Sequence, residues 1–295
     1  MHEPIERILC PIDFSEFSVP AYDYACSLAQ HYGATLYVEH VVELWRYPSA
    51  CFAGSADDYD RFCESLTNTA IEHLKSFVQS HSPGGFSPPC VLPQGTAIDC
   101  ILSFAQEEAI NLIVMGTHGV RGFDRLALGS VTEKVLRKAR CSVLAVHGKS
   151  ESEVQPGAHW QTNELREILF CTDFSDYSNR AFDYALSIAT EYHARLTLVH
   201  VVEGISRLHC AENTAKCQEL LDRLVPESAR QNCAIATIVR SGKAYAEISR
   251  LAQENHADLV VMAVHGRNTV DSAVFGSTTY RVVLLGNCPV LAVHC

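Results

Sequence analysis

The sequence predicts an α/β protein of two doubly wound, Rossmann-like domains, each a five-stranded parallel sheet with strand order 3-2-1-4-5. Three observations carry that prediction. The chain repeats itself: Glu6–Glu43 aligns without a gap on Arg166–Glu203 at an offset of 160 residues, and Gly95–Gly119 on Gly242–Gly266 at an offset of 147. Each copy alternates apolar strand patterns with helical periodicity. Polar loops rich in glycine or aspartate follow the first and fourth strands, where such sheets present their ligand crevice.

The elements of the first copy follow in order. "RILCPI" is a short buried strand. Ser18 is placed to cap a helix whose apolar positions Ala21, Ala25, Leu28, Ala29 and Tyr32 recur at three and four and end at Gly33. "TLYVEHVV" is the second strand, and a long helix runs from Asp60 to Ser80. A strand near Pro89–Leu92, a helix over Ala97–Glu108, the strand "LIVMG", a helix from Ser130 to Arg140 and the strand "SVLAVH" complete the unit. Right-handed crossovers then place helices on both faces of the sheet. The second copy is 13 residues shorter in its middle, where the first carries "LWRYPSACFAGSADDYD" and "HSPGGFSPP". The first of these insertions reads either as a surface loop or as a cover for a ligand or partner. The domains are therefore placed at 1–148 and 166–295, with a polar, aperiodic linker over 149–165.

Composition bounds the function. The net charge of −11 argues against a general nucleic-acid or anionic-membrane partner, which needs a basic surface. No run approaches the length of a membrane span and the amino terminus lacks an apolar signal core, so the expected location is cytoplasmic. Thirteen cysteines form no Cys-x-x-Cys pair and read as reduced core and surface thiols. The fourteen histidines form no metal-ligand pattern, and no metal site is assigned.

The loop "MGTHGVRGFDRLALGS", Met115–Ser130, is the chemically suggestive stretch. Glycines let a phosphate chain approach backbone N–H groups, and the helix opened at Gly129-Ser130 offers unpaired N–H groups and a positive dipole end. Arg121, Arg125, Lys134 and Arg137 are cations that could supplement it. Ser130 with Glu133 also spells a capping box, so the serine has a structural reading beside the binding one. Asp13, after the first strand, suits a bidentate acceptor for ribose hydroxyls, with a turn role as the alternative. His118 and His265 read as loop braces, and His40 and His200 as satisfied core histidines. No Walker lysine motif exists, since Val143 stands where its leading glycine should be before Gly148-Lys149-Ser150.

Gly116-x-x-Gly119, nine residues, then Gly129-Ser130 resembles the G-2x-G-9x-G-[ST] signature of ATP-binding universal stress proteins. "PIDFSEFS" and the closing "SVLAVH" strand are similar to that family too, and both halves share the resemblance. The resemblance implies an adenine-nucleotide hydrolase-like fold and an ATP site, with magnesium accompanying the nucleotide. It implies that Asp13 and the main chain of Val41 hold the adenosine. Gly116, Gly119, Gly129, Ser130 and Val131 would surround ribose and phosphates, and Pro11, Ile12 and Met115 would form the pocket wall. In the second copy the corresponding set is Asp173, Val201, Gly266, Gly276, Ser277 and Thr278, but Ala263 replaces the first glycine and weakens the site. The implied function is a nucleotide-dependent stress-response module. A nucleotide-independent scaffold is the alternative, and a slow ATPase a lesser one. No catalytic residue is assigned. The resemblance further implies that the two fifth strands pair as an internal pseudo-dimer, and leaves open whether two chains form a homodimer.

Overall fold

The computed structural model describes residues 4–52, 54–119, 127–147, 165–204, 210–265 and 276–294. In the first half these form β1 (Arg7–Pro11), α1 (Ser18–Tyr32), β2 (Thr35–Glu39), α2 (Ala56–His81), β3 (Cys90–Val91), α3 (Ala97–Glu107), β4 (Leu112–Gly116), α4 (Ser130–Lys138) and β5 (Ser142–Val146). The second half follows as β6 (Glu167–Cys171), α5 (Asp176–Glu191), β7 (Arg195–Val202), α6 (Cys210–Leu224), α7 (Glu227–Asn232), β8 (Ile235–Ser241), α8 (Ala244–Glu254), β9 (Leu259–Ala263), α9 (Ser277–Leu285) and β10 (Val290–Val293).

Local chemistry accounts for most boundaries. Gly33 takes the left-handed conformation, φ 63°, and returns its N–H to the Ala29 carbonyl, which stops α1 as expected. The larger differences from the sequence expectation are three, the first that β2 ends at Glu39 rather than Val42, with only an isolated Val42–Gln94 bridge beyond it. Ser18 does not cap α1, because Phe17 is the N-cap residue and makes no side-chain cap; Ser18 instead turns its hydroxyl to Asp13. Helix α2 starts four residues before Asp60, since Ser55 and Asp58 form a reciprocal capping box that lets the helix nucleate earlier.

The strands form one sheet in the order β3-β2-β1-β4-β5-β10-β9-β6-β7-β8. Each half is thus the expected 3-2-1-4-5 parallel arrangement. Strands β4 and β5 are buried along their whole length, as the central strands of a sheet covered on both faces must be. One core packs α1, α2, α5 and α6 on one face of the sheet, and a second packs α3, α4, α8 and α9 on the other.

The halves meet where β5 and β10 pair antiparallel, with Val143 opposite Ala292, Leu144 opposite Leu291 and Ala145 opposite Val290. Leu144 and Leu291 occupy equivalent places in the repeat, so the register is self-complementary about that pair. Above it, Tyr24, Leu28 and Tyr32 of α1 close on Tyr184 and Ile188 of α5, and His31 stacks on Tyr192 at 4.0 Å. Leu165, expected at the end of the linker, is buried in the same contact; residues 148–164 lie outside the described residues.

Two histidines cross the seam reciprocally. His147 Nε2 lies 2.6 Å from the Val283 carbonyl of α9, and His294 lies near Leu136 of α4, its Nε2 buried with no hydrogen-bond partner among the described residues. Burial pushes the His294 imidazole down to about 4, with His265 adding to the shift. Above pH 6.5 folded and unfolded chains both hold it neutral; as pH falls from there toward 4, only the unfolded chain takes up the proton. Stability is therefore expected to drop by about 2 kcal/mol between pH 7 and pH 5 through this group. Urea unfolding of the parent and of His294→Asn at both pH values checks it: the variant should show a visibly flatter dependence.

Candidate functional site

Strands β1, β2 and β4 end side by side, and their carboxyl ends with the start of α4 enclose a cleft of about 470 Å³. That volume is in the range of small-molecule sites. Pro11, Ile12, Asp13, Val41, Met115, Gly116, Gly119, Gly129, Ser130 and Val131 all line it. Ten residues scattered over 121 positions of sequence are brought together by the reversal of strand order between β1 and β4.

Asp13 plays the turn role and faces the cleft as well. Its Oδ1 accepts from the Ser15 N–H at 3.0 Å, the Ser15 hydroxyl at 2.6 Å and the Ser18 hydroxyl at 2.8 Å. Its own N–H is held by Ser18 Oγ at 3.1 Å. The carboxylate is thus locked in place before any ligand arrives. A β-carbon on Gly119 would stand 2.5 Å from Asp13 Oδ2, and one on Gly116 would stand 2.7 Å from the Phe17 carbonyl oxygen. Neither glycine uses a left-handed φ, so close approach rather than backbone freedom is what excludes a side chain there.

Gly129 is the N-cap of α4 and supplies no side-chain cap, so the expected Ser130–Glu133 capping box does not form. Glu133 pairs with Arg137 at 3.0 Å instead, because the i,i+4 ion pair lies along the helix surface. The first-turn N–H groups of α4 therefore face the cleft without a capping oxygen. Of the four cations expected near the loop, Lys134 is exposed, Arg137 is paired, and Arg121 and Arg125 lie outside the described residues.

Phe14 has φ 61° and Phe174 φ 60°, a strained choice for a bulky residue, at equivalent places in the two copies. Each ring lies on a histidine, Phe14 on His40 at 4.3 Å and Phe174 on His200 at 4.4 Å. Those histidines contact the carbonyls of Ile12 and Thr172 through Nδ1 at 2.9 and 2.8 Å. A carbonyl only accepts, so Nδ1 carries the proton and brings β1 to β2, and β6 to β7, at the loop base. Burial holds the His40 imidazole below its ordinary range. His118, whose Nδ1 is 3.0 Å from Thr117 Oγ1, stacks near Phe17 and braces the glycine loop from within the cleft wall.

The second copy keeps the frame. Thr132 Oγ1 donates to the Gly116 carbonyl at 2.8 Å, and Thr279 Oγ1 to the Ala263 carbonyl at 3.0 Å. Gly276 caps α9 without a side chain as Gly129 caps α4, with Ser277 and Thr278 following in the first turn. Asp173 Oδ1 accepts from the Ser175 N–H at 3.0 Å, and Val201 stands in β7. Gly266 falls outside the described residues. The copies differ at the Gly116 position, where Ala263 stands. They also differ at the start of the following helix: α5 begins at Asp176 with Ser175 as cap, two residues ahead of its counterpart α1.

Sequence reasoning missed several cleft residues. Arg46, in the inserted loop after β2, lines the cleft and pairs with Glu43, while Trp45 and Tyr47 beside it are exposed. Ala97 and Ile101 of α3 supply an apolar wall. Glu39 also lines the cleft, fully buried, with no hydrogen-bond partner for either carboxylate oxygen among the described residues. Burial alone pushes its carboxyl up to about 8. An apolar residue would have been the ordinary choice in a strand so buried, and a charge interrupting "TLYVEHVV" was the signal available.

Comparisons with known proteins agree with the architecture. A family model described as the universal stress protein family matches residues 4–147 and 164–294. A universal stress protein of Methanocaldococcus jannaschii is 31% identical over 141 residues, covering 48% of this chain and 81% of that protein. One from Bacillus subtilis is 28% identical over 144 residues, covering 48% of this chain and 97% of its own. A solved universal stress protein from Archaeoglobus fulgidus superposes over 99% of this chain and 97% of its own with TM-score 0.67 at 19% identity, a likeness of fold.

Proposed function

The chain belongs to the universal stress protein family, with one such domain in each half, and from that premise we propose that its first half binds ATP and that occupancy biases the association or partner choice of the protein. The observation that carries the reading is the cleft itself: a locked carboxylate, Asp13, faces glycines that leave no room for side chains, next to an uncapped helix end. Asp13 would take the ribose hydroxyls and Val41 the base through its main chain. Gly116, Gly119, Gly129, Ser130 and Val131 would surround the phosphates, on the dipole end of α4. Pro11, Ile12 and Met115 would close on the adenosine.

Among the described residues no group of three His, Cys, Asp or Glu side chains is placed to hold a metal. Magnesium would accordingly enter with the triphosphate, neutralising charge that this acidic chain does not offset. In the second half, Asp173, Val201, Gly266, Gly276, Ser277 and Thr278 would hold a nucleotide less tightly, with Ala263 standing in place of Gly116. Signalling from one domain to another through a shared seam, rather than rapid hydrolysis, is the role assigned. No described helix is long and apolar enough to cross a membrane, and a cytoplasmic module, alone or as a homodimer, fits the reading.

Calorimetric titration of the nucleotide-stripped chain with magnesium-ATP tests it. One tight site per chain is the expected result, and no heat of binding at millimolar nucleotide would overturn the proposal, leaving a nucleotide-independent scaffold.

A further inference from the structure

Glu39 is not explained by the fold. It stands at the end of β2 on the face covered by α3, as its strand neighbour Tyr37 does by packing on Phe104 at 5.3 Å. The equivalent residue of the second half is Val199, equally buried, so the architecture accepts an apolar side chain at this point. The first half instead keeps a carboxyl that bonds to nothing among the described residues, in the wall of a cleft. A buried polar group left unsatisfied is costly, and a ligand that supplies its partners removes the cost. Its surroundings suit a flat aromatic ligand: Ile12, Ala97, Ile101 and Met115 are apolar, and Val41 lies two residues further along the same chain direction.

We propose that Glu39 reads the edge of the purine base and sets the preference of the first-half cleft between adenine and guanine; the assignment rests on the reading of that cleft as a nucleotide site. The chemistry follows from donor and acceptor counts. A neutral carboxyl group offers one donor and one acceptor side by side, which matches the adenine edge, an amino N–H beside a ring nitrogen acceptor. An ionised carboxylate offers two acceptors. Against adenine it sets one oxygen against a nitrogen lone pair; against guanine it meets two donors, the ring N1–H and the 2-amino group. Protonated Glu39 therefore accepts adenine, or guanine through its O6 and N1–H, whereas ionised Glu39 disfavours adenine and still accepts guanine.

Burial holds the group neutral to about pH 8, so the preference shifts toward guanine above that pH, in an accessible range. The other titratable and charged groups about this site are Asp13 after β1, His40, Glu43 and Arg46 around the end of β2, Asp99 and Cys100 on α3, and His118 after β4. Cys100 feels the Glu39 charge directly. Any of these can alter absolute affinity with pH, and so do the phosphates. The ratio of ATP to GTP affinity cancels what both nucleotides share.

The experiment measures magnesium-ATP and magnesium-GTP affinities of the full chain at pH 7 and pH 9. In the parent the ATP:GTP ratio should fall about tenfold, as the neutral fraction of a group titrating near pH 8 falls by that factor. Glu39→Gln, whose amide permanently offers a donor and an acceptor, should bind ATP within about threefold of the parent at pH 7 and hold a constant ratio. Glu39→Val, carrying the residue of the second half, should show little base preference at either pH. A parent ratio that does not change, or one that falls equally in Glu39→Gln, overturns the assignment while ATP binding itself stands. Failure of both nucleotides to bind the parent overturns this assignment together with the nucleotide reading.

Discussion

Gly119→Val is expected to abolish magnesium-ATP binding in the first half, with an affinity loss of at least about a hundredfold, while the chain stays folded. Any β-carbon at this position meets Asp13 Oδ2 at 2.5 Å, so a valine must push the carboxylate out of its three hydrogen bonds or fill the space in front of it. Backbone strain is not the cause, since Gly119 has an ordinary φ that valine can adopt. Gly129→Arg approaches the same site from the opposite wall: its β-carbon would lie 3.2 Å from the Thr117 carbonyl oxygen, and the long side chain would stand over the first turn of α4. Titration calorimetry reads both variants, and thermal melting confirms that they fold. Parent-like binding in Gly119→Val would mean that Asp13 and the glycine loop do not hold the ligand.

Replacing Leu144 and Leu291 together by aspartate should separate the halves. These side chains face each other at the centre of the β5–β10 register, both almost fully buried. Two carboxylates there would be desolvated, unpaired and mutually repulsive, each at a cost of several kcal/mol. Either the strands part or the carboxylates stay protonated far above their ordinary range. Small-angle scattering at neutral pH should show a longer, less compact particle, with each half retaining its circular dichroism. Unchanged compactness would mean that the α1–α5 contact, with His31 on Tyr192, holds the halves without the strand pair.

Much of this was legible in the sequence, for identifiable reasons. The repeat exposed the two halves directly, and strands such as "LIVMG" and "SVLAV" are the continuous apolar runs expected of strands covered on both faces. The first-half cleft residues were legible because glycine spacing and the aspartate after β1 are local signals. What escaped depended on partners distant in sequence. Ser18 looks like a cap until Asp13 is seen beside it, and Ser130 with Glu133 looks like a capping box until Arg137 takes the carboxylate. Glu39 could not be recognised as buried without knowing that α3 covers it, nor Arg46 as a cleft residue without the path of the loop after β2.

The self-complementary register of β5 and β10 has a genetic consequence. Two identical subunits joined through such a seam share one gene, so any substitution that remodels one binding cleft remodels the other. Here both halves of the seam lie on a single chain, and each copy mutates alone while its counterpart keeps the shared sheet intact. Ala263 in place of Gly116 and Val199 in place of Glu39 are changes of that kind, confined to one copy. The fused arrangement thus permits a division of labour that a symmetric pair of subunits cannot reach, one half retaining a ligand while its twin is free to specialise as its scaffold.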